Sequence, residues 1–256
     1  MKIKAAKRKD EGSCNLCSRG TLNDSGTWLH YPYEYVYTIE SDRSGVKICI
    51  CEDCLNEIKK IHSNCIMQPV ISILICSLES RKHLYDVLID ELLRQRASNP
   101  EVEILASIDN KQHTTGWKRN DLLHSATGKY IIFIDDDDWI EPYYIEELLK
   151  AAESDADCFA INGWITTNGK NKMQWFLSKD NPNETKFKNG VPYYLRTTNH
   201  ITGVKRELAL KAGFPDKSNA EDRAYMLKLN PFLKTEYKIE KPLYHYRFST
   251  LNKEYT

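Results

Sequence analysis

Tyr130-Ile-Ile-Phe-Ile-Asp-Asp-Asp-Asp-Trp139 is an apolar run that ends abruptly in four carboxylates. Five consecutive apolar residues, rich in β-branched side chains, predict a strand buried on both faces. Four adjacent carboxylates at its end repel one another and are costly unless a cation or hydrogen-bond donors offset them. If the strand continued, alternation would put Asp135 and Asp137 on one side and Asp136 and Asp138 on the other. One such pair can share a divalent ion, and hard carboxylate oxygens suit Mg²⁺ or Mn²⁺ bridged to a phosphate. The plainer reading is a solvated acidic turn, with Asp138 capping the helix that follows.

Outward from this stretch the pattern alternates. Val70–Ile75 predicts another buried strand, and Arg81–Arg96 an amphipathic helix with Leu84, Val87, Leu88 and Leu92 on one face. Glu101–Ile108 predicts a strand ending at Asp109, and Lys118–Ala126 a short helix closed by Gly128. Pro142 stands where it would open a helix running to about Glu153. Cys158–Ile165 reads as one further strand, Val204–Ala212 as a helix and Asn219–Leu229 as a helix start. The polar stretch Thr166–Asn189 shows little periodicity and reads as a mobile loop over the site. Strand–helix alternation predicts an α/β fold with a mostly parallel sheet and helices on both faces. Ligands then bind beyond the carboxyl ends of the strands, where Asp109 and the four aspartates stand.

The first quarter has a different texture. Cys14-Asn-Leu-Cys17 and Cys51-Glu-Asp-Cys54 are two C-x-x-C knuckles with 33 residues between them. Four such thiolates suit one tetrahedral structural Zn²⁺, with Cys49 able to replace Cys51. A hairpin is expected in the Tyr-rich linker and a short helix over Leu55–His62, so residues 1–68 resemble a treble-clef zinc finger. That finger is expected to be structural, or to recruit a protein partner. Gln68-Pro69 marks the boundary with a second domain, 69–256.

Composition narrows the field. The 256 residues carry 36 basic and 36 acidic side chains, so no bulk charge favours nucleic acid or anionic membrane. The 15 tyrosines, 7 phenylalanines and 5 tryptophans are too many for a disordered chain. No apolar run approaches the roughly 18 residues of a membrane span. The basic start, Met1–Lys9, has no apolar stretch behind it, so a cytoplasmic location is expected.

From Val70 to about Ser249 the chain resembles family 2 glycosyltransferases of the GT-A fold. The resemblance is carried by Ile71–Ile75, Asp109, Gly116-Trp-Lys-Arg-Asn120, Gly128–Trp139 with its D-x-D, Ala220-Glu-Asp222 shortly after Ala212-Gly-Phe-Pro215, and Tyr244-His-Tyr-Arg247. Six motifs in order weigh more than any one of them. Cys76-Ser-Leu-Glu-Ser-Arg81 departs from the Pro-Thr-Tyr-Asn-Arg that many members carry.

The resemblance implies a metal-dependent, inverting transfer of sugar from a nucleotide donor to an acceptor hydroxyl. It implies Asp137 as metal ligand, with Asp135 supporting it and His245 completing the site. Ser77, Glu79, Arg81, Asp109, Arg119, Asp135 and Asp136 would bind the donor. Asp222 would be the base, while Glu221 and His200 would line the acceptor or sugar pocket. A glycan is the expected acceptor. Rival readings are a nucleic-acid-modifying transferase recruited by the finger, a nucleotidyltransferase, or a non-catalytic binding module. Lys and Arg exceed Asp and Glu by 10 to 9 in residues 1–68, which lends nucleic acid little support.

Overall fold

The computed structural model describes residues 2–7, 35–40, 47–51, 54, 56 and 68–249. The chain divides into two compact units, Met1–Met67 and Gln68–Thr256. In the first, β1 (Lys2–Lys7), β2 (Tyr35–Glu40) and β3 (Lys47–Cys51) form an antiparallel sheet in that order. Cys14, Cys17 and, apart from Asn56, the expected helix over 55–62 fall outside the described residues, while Cys51 ends β3.

The second unit is built on β4 (Ile71–Leu78), β5 (Val102–Asp109) and β6 (Tyr130–Asp135), which run parallel with β4 in the middle. β13 (Gly203–Lys205) lies antiparallel between β6 and β8 (Cys158–Ala160), and β14 (Glu236–Lys238) closes the edge parallel to β8. The sheet is therefore mixed, with β13 as its one reversed strand.

Alternation along the strands assigns the two cores. Ile71, Ile73, Ile75, Tyr130, Ile132 and Ile134 face α1 (Lys82–Arg96) and α3 (Tyr144–Glu153), through Leu88, Leu92, Ile145 and Leu148. Leu74, Ile131 and Phe133 face the other way, toward α2 (Thr115–Ser125), α4 (Arg206–Ala212) and α5 (Glu221–Leu229). Because both faces are covered, the strands can be apolar throughout. No helix among the described residues is long and apolar enough to cross a membrane.

Three expectations need correction. Cys158–Ile165 is not one strand: β8 ends at Ala160, and β9 (Asn162–Thr167) enters a second sheet. The supposed loop over 166–189 is largely strand. β10 (Lys170–Leu177), β11 (Glu184–Lys188) and β12 (Val191–Arg196) join β9, β15 (Tyr244–Phe248) and β7 (Trp139–Ile140) in that sheet. Asn168-Gly169 and Asn189-Gly190 all take positive φ and make the two-residue turns of hairpins β9–β10 and β11–β12. Pro142 precedes α3 rather than sitting inside it, and the N-cap is Tyr143, not Asp138.

The first turn of α2 lies against the 215–217 segment. Gly116 N donates to the Lys217 carbonyl at 3.0 Å, and a Cβ on Gly116 would stand 1.9 Å from the Pro215 carbonyl oxygen. Gly116→Ala must push this backbone apart. It should destabilise the unit by at least about 1–3 kcal/mol, the usual cost of overpacking. Urea denaturation checks this, and an unchanged midpoint would show that the segment yields freely.

Candidate active site

β6 ends at Asp135 and the backbone turns at once, with Asp138 N donating to the Asp135 carbonyl at 3.1 Å. The turn replaces strand alternation. Asp135 and Asp138 face one cavity, whereas Asp136 and Asp137 face Arg81. The sequence pairing of 135 with 137 and 136 with 138 is thus overturned by a tight turn, which brings residues three apart together.

Each carboxylate has its own partners. Asp136 is buried, accepts from the Ser77 hydroxyl at 2.6 Å and pairs with Arg81. Burial pushes its pKa up to about 6 against the opposing pull of Arg81 and Ser77. Asp137 pairs with Arg81 at 2.9 Å. Asp138 accepts from the Tyr244 hydroxyl and from Arg247 N, each at 2.7 Å. Burial, with Asp135 adding to it, holds the Asp138 carboxyl well above its usual range. Asp135 shifts the opposite way. Burial disfavours its charge, but His200, Arg119 and Arg81 more than offset that and hold it well below the usual carboxylate range.

Arg119 is buried against the rings of Phe133 and Phe214. Its Nη2 meets Asp135 at 3.1 Å and its Nη1 meets Glu221 at 2.9 Å. The neighbouring Asn120 clamps Phe214 by accepting from its N–H and donating to its carbonyl. The segment Gly116–Asn120 therefore joins α2 to the chain that leads into α5. That helix opens on Ala220, held at φ +56°, a left-handed conformation costing an L-residue about 1–2 kcal/mol.

Asp222 stands in the first turn of α5 and lines the same cavity, of about 770 Å³, as Asp135, Asp138, Glu221 and His200. Its Oδ1 accepts from Arg223 N at 2.7 Å, and its Oδ2 is 3.8 Å from His200 Nδ1. His200 Nε2 lies 3.0 Å from Asp135 Oδ2. Trp175, Tyr194, Tyr246 and Phe248 from the second sheet give the cavity an aromatic wall.

A second group gathers at the ends of β4 and β5. Asp109 accepts from Lys118 Nζ at 2.8 Å and from His113 N at 2.9 Å. Burial opposes its charge, yet these donors keep its pKa below the ordinary value. Lys118 is itself buried and also donates to the Ser77 carbonyl at 2.8 Å. Sequence reasoning singled out Arg119 and passed over Lys118 beside it. It also missed Tyr244, whose hydroxyl accepts from Asp135 N and donates to Asp138. Glu79 is exposed in the 3-10 turn that leads to Arg81.

His245 is not brought to the aspartates. On β15 it alternates with Tyr244 and Tyr246, so it points away from the cavity. Its Nε2 is 3.1 Å from Thr166 Oγ1 and its ring meets Trp139 edge-on. Among the described residues no three His, Cys, Asp or Glu side chains form a ready-made metal cage.

Comparison with known proteins bears on the same residues. Residues 80–209, just over half of the chain, match the model of glycosyl transferase family 2. The chain belongs to that family. EpsH of Bacillus subtilis (strain 168), a glycosyltransferase by name, is 25% identical over 210 residues, covering 70% of this chain and 61% of EpsH. The crystal structure of S. aureus TarS 1-349 superposes with a TM-score of 0.50 at 16% identity, over 69% of this chain and 60% of that one. Its complex with UDP-GlcNAc gives 0.51 at 16% identity, over 69% and 58%. The chain thus spans less than two thirds of these relatives, and the structural likeness shows a shared fold alone.

The raised pKa of Asp136 carries a testable sign. A carboxyl that binds its proton up to about pH 6 when folded, against an ordinary value of 3.8, contributes most to stability below pH 3.8. That contribution is lost as pH rises through 6. Asp136→Asn removes the titration. Measured against wild type, the variant should gain by about 3 kcal/mol between pH 4 and pH 7. A stability difference that does not vary with pH would mean that Asp136 titrates normally.

Proposed function

We propose that residues 69–256 transfer a sugar from a nucleotide donor to an acceptor hydroxyl, with inversion. The observation that carries this reading is that Asp135 and Asp222 line one cavity from opposite elements, one beside the strand ends and the other on a helix start. The donor end comprises Ser77, Arg81, Asp109, Asp135, Asp136 and Asp137, with Glu79 at the rim. Arg119 acts there by holding Asp135.

A divalent ion fits the donor end. Asp137, 30% exposed and paired with Arg81, and Asp135, 33% exposed and held by Arg119 and His200, offer hard oxygens from the two sides of the turn and would rotate toward each other to share the ion, whereas Asp136 and Asp138 are buried. Two carboxylates completed by phosphate oxygens form the usual Mg²⁺ or Mn²⁺ arrangement. Such an ion would offset charge on the departing diphosphate. His245, turned to Thr166, has no part in it.

The reaction is one displacement. The acceptor oxygen bonds to the sugar's anomeric carbon as the bond to the phosphate oxygen breaks. The hydroxyl proton passes to Asp222, and the nucleoside diphosphate leaves with the bonding pair. The aromatic wall of Trp175, Tyr194 and Tyr246 suits stacking on a sugar, which supports a glycan as acceptor. UDP-GlcNAc is bound by the S. aureus TarS fragment, so UDP-sugars are the first donors to try. We further propose that Cys14, Cys17, Cys51 and Cys54, or Cys49 in place of Cys51, hold a structural Zn²⁺ in residues 1–68. That module, by this reading, serves protein contacts rather than catalysis.

Calorimetric titration of UDP, GDP, dTDP, CDP and ADP, with and without Mn²⁺, tests the donor end. One nucleotide should bind with metal dependence, and Asp137→Ala should abolish that dependence. Asp222→Asn should keep the affinity and lower turnover by about 10²–10⁴-fold. If wild type binds no nucleotide, the transferase reading fails.

A further inference from the structure

His200 is buried in the cavity wall between two carboxylates, one from β6 and one from α5. Its carbonyl accepts from Phe133 N at 3.3 Å, which ties its backbone to the strand that carries the aspartates. Its Nε2 is 3.0 Å from Asp135 Oδ2. Both ring nitrogens face carboxylate oxygens, which accept, so the two contacts are satisfied together when each nitrogen carries a hydrogen. The other nitrogen, Nδ1, is buried and makes no hydrogen bond among the described residues. It faces Asp222 Oδ2 at 3.8 Å, beyond hydrogen-bond reach and within a small side-chain rotation of it.

Asp222 is constrained from its other side. Its Oδ1 accepts from Arg223 N at 2.7 Å, which leaves Oδ2 as the oxygen turned to His200. A buried nitrogen left without a partner is costly, and contacts of this kind often close only when substrate is bound.

We propose that His200 is a positioning residue for Asp222: anchored by Asp135 through Nε2, it uses Nδ1 to set the direction in which the Asp222 carboxylate meets the acceptor hydroxyl. This rests on the transferase reading of the site. It goes beyond that reading in making the donor-side aspartate and the base two ends of one strut. Misplacing a reacting group by about 1 Å can cost on the order of 10²-fold in rate.

The two nitrogens can be tested separately. An asparagine amide falls near the Nδ1 position, and a glutamine amide reaches the Nε2 position. His200→Asn should keep the Asp222-facing contact and hold kcat within about 10-fold of wild type. His200→Gln keeps only the Asp135-facing contact and should lose on the order of 10²-fold in kcat. UDP release from a panel of UDP-sugars supplies the rates, and UDP affinity should stay unchanged in His200→Gln, which keeps the Asp135 contact. In an Asp222→Asn background neither substitution should lower kcat further. Equal losses in the two variants, a better glutamine variant, an effect confined to KM, or full additivity with Asp222→Asn would each overturn the proposal. If wild type releases UDP from no donor, the transferase reading fails instead. The strut is then judged from urea midpoints of the His200→Gln, Asp222→Asn and double variants. Non-additive midpoints uphold the contact and additive ones overturn it.

Discussion

Arg119 is the cation on which the site is assembled. It is buried, so its charge needs matched partners, and it finds Asp135 at the end of β6 and Glu221 at the start of α5. Burial works against its charge, yet Asp135, Glu221 and Asp222, with Cys76 adding to them, raise its pKa above the ordinary value. Removing one member of such a group leaves an uncompensated buried charge, which is far costlier than losing a surface pair. The guanidinium suits this place better than an ammonium would, because its planar fork serves two carboxylates at once while its face lies on Phe133 and Phe214. Glu221 is thereby taken up, and its neighbour Asp222 is left facing the cavity.

The same constraint explains how four adjacent aspartates coexist. The chain does not surround them with one bulk positive field. It sends each in a different direction and sets its charge by its surroundings. Asp136 and Asp138 are buried against hydroxyl and backbone donors, and both bind protons more readily than usual. Asp135 is given Arg119 and His200 and kept ionised. Spreading the charge in this way lowers the mutual repulsion that made the tetrad improbable as a bare acidic turn.

The central sheet was legible because burial on both faces leaves an unambiguous signature: Ile71–Ile75 and Tyr130–Ile134 are apolar at every position except Ser72. Asp109, the aspartates and Glu221-Asp222 were legible as motifs, since few folds place carboxylates at those intervals. The second sheet was not. Its strands are half-exposed and rich in Lys and Asn, so hydrophobic periodicity is weak. The signal that could have found it lay in the turns, Asn168-Gly169 and Asn189-Gly190, the strongest local marks of a hairpin. Pairing among the aspartates was illegible for another reason. It depends on whether the strand continues past Asp135, and what ends it is the brace from Tyr244 and Arg247, more than 100 residues further along the chain. Lys118, and the contacts of His200, were obscured in the same way, because the partners Asp109, Ser77 and Asp135 come from other strands.

That brace joins the two halves of the site. Tyr244 lies on β15, paired with β9 on one side and β7 on the other, and its hydroxyl touches both Asp135 N and Asp138. The sheet that carries the aromatic wall of the cavity is therefore fastened to the turn that carries the donor-side aspartates. A shift in β10 or β12, where Trp175 and Tyr194 stand, reaches the aspartate turn through β9 and β15 rather than through solvent. The exposed side chains of this sheet can then vary without moving the aspartate turn, provided Gly163, Tyr244 and Arg247 keep β15 in register. The four aspartates follow a strand buried on both faces, whereas the aromatic wall of the cavity stands on a sheet whose strands are largely half-exposed.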